Sequence, residues 1–187
     1  MLEPGEHDLG GLRAEAGVLS VGGDWQTVEF LTAFDDIPVV LAQVINEKGD
    51  VAATVRMRGV SKNGFSLLIQ QQELTPDVVG NRAVHYMAFE QGEGSFGDAD
   101  NEIQLQVGLT ERVVSQTPYT INFMNEYLNP TIYAHVQSYF GGDPTALGLD
   151  ELSPMSATVK LMEERSANFE TSHIAEVVGW VVVGDTE

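Results

Sequence analysis

Cysteine is absent from this sequence, which excludes disulfide frameworks, thiolate catalysis and zinc–sulfur sites. Extracellular domains of multicellular eukaryotes often carry disulfides, so the absence fits a bacterial, archaeal or viral protein that relies on its core alone. Basic residues are also scarce: 9 Lys and Arg stand against 28 Asp and Glu, a formal net charge of −19. Counterion release on phosphate needs clustered Lys and Arg, so neither nucleic acid nor anionic membrane is an expected partner. No run approaches the roughly 20 apolar residues of a membrane helix, and no membrane insertion is expected. Residues 1–11 lack the basic-then-apolar order of a signal peptide.

The acidity has two readings. One is solubility, with self-repulsion screened in a salty medium. The other is calcium held by carboxylate loops. Solubility is favoured, because no run has the ligand spacing of an EF-hand or a glycine-rich calcium repeat. No cofactor is implied, and calcium stays open as a metal.

Helical periodicity with caps is also missing. Short β-branched and aromatic runs recur instead, separated by Gly, Pro, Asn and Asp. Strands are expected at 17–21, 27–31, 39–45, 53–58, 64–71 and 83–90, then at 108–113, 120–124, 131–138, 146–149, 157–163 and 175–183. Hydrophobic residues make up 43% of the chain, enough for a packed core. Lys48-Gly49-Asp50 and Lys62-Asn63-Gly64 have turn chemistry.

The two sets of strands share landmarks in order. Phe30 answers to Phe123 and Phe34 to Tyr127. Pro38 to Val44 answers to Pro130 to Val136, with identical proline–alanine and alanine–valine spacings. A Gly-Asp turn follows in each (Gly49-Asp50 and Gly142-Asp143). Ser66-Leu67-Leu68-Ile69 then matches Thr158-Val159-Lys160-Leu161, and Tyr86 matches Trp180. The expected fold is all-β: two tandem antiparallel β-sandwich repeats of about six strands each, at 12–92 and 105–187. The acidic, Gly-rich stretch 93–104 is expected to be a linker.

At these residues the sequence resembles the H-type lectin-like β-sandwich family. The second repeat carries Tyr139-Phe140-Gly141-Gly142-Asp143-Pro144, then Glu163-Glu164, then His173, Glu176, Val178, Gly179 and Trp180. The first carries Val55-Arg56-Met57-Arg58 and Gly64-Phe65, but has Gln70-Gln71-Gln72 in place of the acids and Asn81-Arg82 near the His and Glu pair. The resemblance implies six-stranded sandwiches, trimers, and binding of N-acetylgalactosamine-type sugars near subunit contacts. It implies ligand binding in the second repeat and a scaffold role for the first.

The candidate ligand-binding residues are Glu163, Glu164, His173, Glu176, Tyr139 and Asp143. A histidine among carboxylates can hold a metal or a network of sugar hydroxyls. The same groups can equally satisfy one another across strands and pin the closing strand. Tyr139 and Trp180 are candidate platforms, although Trp25, Trp180 and Tyr86 read first as core. His135 is expected at the surface and His85 as a structural histidine. No nucleophile–base order, phosphate loop or dinucleotide glycine pattern occurs, so no catalytic residue is nominated. The expected function is non-catalytic carbohydrate or glycoconjugate binding by a secreted or cell-surface protein. The alternative is an assembly module of a virion or surface appendage. Homo-oligomerisation is open.

Overall fold

The computed structural model describes residues 2–45, 51–75, 80–98, 101–167 and 169–186. The Lys48-Gly49-Asp50 turn lies outside them. Fourteen strands and no helix occur among the described residues. In chain order they are β1 (Gly5–Leu9), β2 (Leu12–Val21), β3 (Gln26–Glu29), β4 (Val39–Val44), β5 (Ala53–Ser61), β6 (Gly64–Gln71) and β7 (Arg82–Phe89). Then come β8 (Gly92–Phe96), β9 (Ile103–Leu109), β10 (Tyr119–Asn122), β11 (Tyr127–Val136), β12 (Thr145–Ser153), β13 (Ser156–Glu163) and β14 (Val178–Thr186).

Period-2 alternation sets which side chains are buried. In β6, Phe65, Leu67 and Ile69 join the core while Ser66, Leu68 and Gln70 face away. In β13, Ala157, Val159 and Leu161 do the same, with Thr158 and Lys160 facing away. All pairings between strands are antiparallel, and they build four sheets. The first half has the orders β1-β2-β7-β4 and β3-β6-β5. The second has β8-β9-β14-β11 and β10-β13-β12, the same orders seven strands later.

Each half is thus a four-stranded and a three-stranded sheet around an apolar cluster. The first cluster includes Phe30, Phe34, Met57, Phe65 and Tyr86, and the second Phe123, Tyr127, Leu161 and Trp180. The cross-links match as well. Phe30 N donates to Asn63 O and Phe123 N to Met155 O. Ile45 N donates to Ala83 O, and Gln137 N to Val177 O. Gly17 pairs with Tyr86 and Gly108 with Trp180, and each ring lies close against its glycine. A Cβ at either glycine would meet the ring at 2.3 or 2.4 Å.

Each half has seven strands where about six were expected. The extra strands are β1 and β8; β8 ends at Phe96 and β9 starts at Ile103, so the two ends of the expected linker are strand. Both extra strands are polar edge strands, Gly-Glu-His-Asp-Leu and Gly-Glu-Gly-Ser-Phe, so apolar alternation does not reveal them. Backbone pairing to β2 and β9 holds them.

A third apolar cluster joins the halves. Leu12, Ala14, Val39 and Phe89 of the first pack against Leu105, Val107 and Val181 of the second. In β4, Val40, Ala42 and Val44 enter the first core, while Val39 and Leu41 turn to this interface. Buried Gln137 crosses it: its Oε1 accepts from Val40 N and its Nε2 donates to Pro38 O, both at 2.8 Å.

Candidate functional site

Glu176 lies just before β14, fully buried. Its Oε1 accepts from Phe140 N at 2.8 Å and Gly141 N at 2.9 Å, and its Oε2 accepts from the Ser138 hydroxyl at 2.5 Å. Ser138 Oγ in turn accepts from Val177 N at 2.7 Å. One carboxylate therefore organises the loop between β11 and β12. Burial works to raise its pKa. The hydrogen bonds from His173, Gly141, Ser138 and Phe140 outweigh that, and the carboxyl sits below its ordinary value.

His173 bridges two acids. Its Nδ1 is 2.5 Å from Glu163 Oε1 at the end of β13, and its Nε2 is 3.3 Å from Glu176 Oε1. Its backbone N–H donates to Gln116 Oε1 at 3.1 Å. The hydrogen bond to Glu176 favours the charged ring, burial opposes it and Glu163 adds support. The pKa is raised. The His173 and Glu163 side chains are each only 2% exposed.

The fourth member comes from the other half. Arg56 on β5 lies between core residues Val55 and Met57 and faces away from them. Its side chain is 2% exposed, because the β11–β12 loop covers it. Nη2 donates to Gly141 O at 2.9 Å, and Nη1 donates to Asp143 O and, at 3.0 Å, to Gln70 Oε1. Gln70 Nε2 donates to Gly142 O at 2.7 Å. The guanidinium lies 3.9 Å from Glu176 Oε1 and 4.6 Å from the centre of the Tyr139 ring. The loop thus has its N–H groups on Glu176 and its carbonyls on Arg56 and Gln70. Burial lowers the Arg56 pKa, and the surrounding acids, led by Glu176, oppose that shift.

The nominated residues separate at this point. Glu163, His173 and Glu176 come together, but in a buried network whose groups mostly occupy one another. Glu163 Oε2 and Arg56 Nε are buried there without a hydrogen-bond partner among the described residues. Glu164 stands apart: it accepts from Glu73 N at 2.9 Å and from the Ser166 N–H and hydroxyl, each at 2.7 Å. Those bonds, Glu73 N first, hold its carboxyl below the ordinary value. Asp143 is exposed and contributes its backbone carbonyl. Tyr139 is half-buried, with Trp25 packed edge-on at 5.0 Å and Arg56 over its ring, and its hydroxyl donates to Gly142 O at 3.2 Å. Trp180 and Tyr86 lie in the cores. Trp25 is half-buried at the seam instead, with Arg58 3.9 Å over its ring. His135 is half-buried on β11, where burial pushes its pKa down to about 4.

Beside the network, a cleft of about 660 Å³ is lined by both halves. The first contributes Ala53, Thr54, Gln70 and Gln72, and the second Gln116, Ala146, Met162, Glu163, Glu164 and Thr171. Among the described residues, no group of three or more His, Asp or Glu side chains is placed to hold a metal ion.

No family model, curated protein or solved structure matches this chain.

The resemblance implies a scaffold role for the first half, yet that half supplies Arg56 and Gln70 to the site. Arg56 stands in the expected arginine-rich strand. Alternation turns it away from its own core, and nothing local signals that another half buries it. Gln70 belongs to the Gln70-Gln71-Gln72 run, read as a loss of acids, yet it is a ligand of the loop.

Proposed function

We propose that the chain is a non-catalytic carbohydrate-binding module whose ligand occupies the cleft lined by both halves. The observation that carries this reading is the lining itself. Gln72, Thr54 and Thr171 offer amides and hydroxyls, while Ala53, Ala146 and Met162 supply apolar surface. A sugar needs both: donors and acceptors for its hydroxyls, and apolar contact for its C–H faces. The resemblance to H-type lectin-like sandwiches supports the same ligand class, and a secreted or cell-surface setting accompanies it. On this reading Glu163 forms part of the cleft wall, and His173 and Glu176 stand behind it and shape it. A glycan array on the full chain is the test. Gln72→Ala and Thr171→Ala should weaken any hit about tenfold without lowering the melting temperature. Absence of binding to every glycan at millimolar sensitivity rejects the proposal.

Assembly into a homo-oligomer is the second reading. Leu31 and Met124 favour it: they follow Phe30 and Phe123 at matching places and are 69% and 74% exposed. Light scattering of the wild type and a Leu31→Ser, Met124→Ser double variant separates the readings. An oligomer lost in the variant supports assembly, and a monomer in both removes it.

A further inference from the structure

His173 stands where ring position and loop position are a single variable. A Cβ added to Gly141 would lie 2.4 Å from His173 Cε1, so the imidazole packs directly on the loop backbone. Glu176 fixes that backbone through the N–H groups of Phe140 and Gly141. Carbonyls of the same loop, Gly141 O, Gly142 O and Asp143 O, receive Arg56 and Gln70 from the first half. Residue 144, the next along the chain, lines the cleft together with Gln70 and Glu163.

We propose that His173 is a protonation-controlled latch: its imidazolium closes the β11–β12 loop onto the first half, and loss of the proton releases the loop and loosens the cleft wall. The consequence for ligand binding rests on the cleft being the ligand site, but the latch itself does not. An imidazolium donates from both nitrogens and serves Glu163 and Glu176 together. A neutral ring has one donor and one lone pair, and that lone pair would face a carboxylate.

The charged groups around the ring are Glu163 from β13, Glu176 from the segment before β14, and Arg56 from β5. Asp143 and Tyr139 stand beside Arg56 on the loop. The two carboxylates favour the imidazolium and Arg56 disfavours it, with a net upward shift. His135, which also senses Arg56, has its pKa pushed down to about 4. It stays neutral through the relevant range and cannot produce the same transition.

The test needs no ligand, so its failure is distinguishable from failure of the carbohydrate reading. Imidazole nitrogen shifts of the full chain, measured from pH 6 to 9, follow the His173 proton. Amide exchange, corrected for its intrinsic pH dependence, follows Phe140 and Gly141. Their protection should fall about tenfold with the midpoint of the His173 titration. Core amides such as Leu67 should hold. In His173→Gln the protection should no longer depend on pH. If that variant does not fold, the wild-type titration decides alone. A His173 that keeps one protonation state over this range overturns the latch, as does a proton lost with Phe140 and Gly141 protection unchanged.

Discussion

The two halves share an apolar frame and differ in the polar residues fastened to it. Tyr86 and Trp180 cover equivalent glycines, but their surroundings diverge. In the first half, buried Glu15 accepts from the Tyr86 hydroxyl at 2.7 Å and from Leu31 N at 2.8 Å. In the second, Gln106 stands in its place and accepts from Met124 N at 2.9 Å. The contrast is sharper two residues before β7 Val84 and β14 Val178. There the first half has Arg82, donating to Val51 O at 3.0 Å, and the second has Glu176. A buried polar residue is tolerated where its partners come with it. At Glu176 those partners include a loop, and through the loop the other half.

The largest difference should follow removal of these two residues. Glu176→Ala strips the acceptor from Phe140 N, Gly141 N, Ser138 and His173 and leaves Arg56 without its nearest carboxylate. Breaking a buried charged group in this way costs about 3–5 kcal/mol. Arg82→Ala removes hydrogen bonding at a half-buried site and should cost about 1 kcal/mol. Urea unfolding midpoints compare them, and equal losses would break the contrast. A smaller and symmetric effect is expected at the glycines. Gly17→Ala and Gly108→Ala each drive a methyl into an aromatic ring and should each cost about 1–3 kcal/mol. Unequal losses would mean that the frames are less alike than their registers.

The pH response sharpens the comparison through two histidines of the second half. The His173 pKa is raised, so its stabilisation is complete below about pH 6.5 and is lost as pH rises through the folded value. The His135 pKa is lowered to about 4, so stability falls as pH drops from about 6.5, where the unfolded chain takes a proton that the native ring refuses. Melting temperature should therefore peak near pH 6.5, and His173→Gln should flatten the alkaline side only. The smallest effect belongs to the matched hydroxyl pairs on the three-stranded sheets. Thr27 meets Ser66 and Thr120 meets Thr158, both at 3.1 Å. Thr27→Ala and Thr120→Ala should each cost about 0.2–1 kcal/mol in the same unfolding assay.

Sequence pattern reached the frame because apolar alternation is a local signal. Phe65, Leu67 and Ile69, and Ala157, Val159 and Leu161, declare their faces within one strand. The aromatic pairs align because each must fill the same space over a glycine. β1 and β8 escaped, since edge pairing is made by backbone and leaves little trace in side chains. The polar site was half legible. His173, Glu163 and Glu176 stood out as groups able to satisfy one another, and they do so at 2.5 and 3.3 Å. Arg56 was not legible as their neighbour. It is 120 residues away in the chain, and only the packing of one half on the other brings it to Glu176.

This network fastens the first half to the loop of the second. A double-mutant cycle with Arg56→Met and Glu176→Gln, read by chemical unfolding, tests that fastening. Fastening predicts a coupling energy of about 1–3 kcal/mol between the two positions. Additive losses, with coupling indistinguishable from zero, would contradict it.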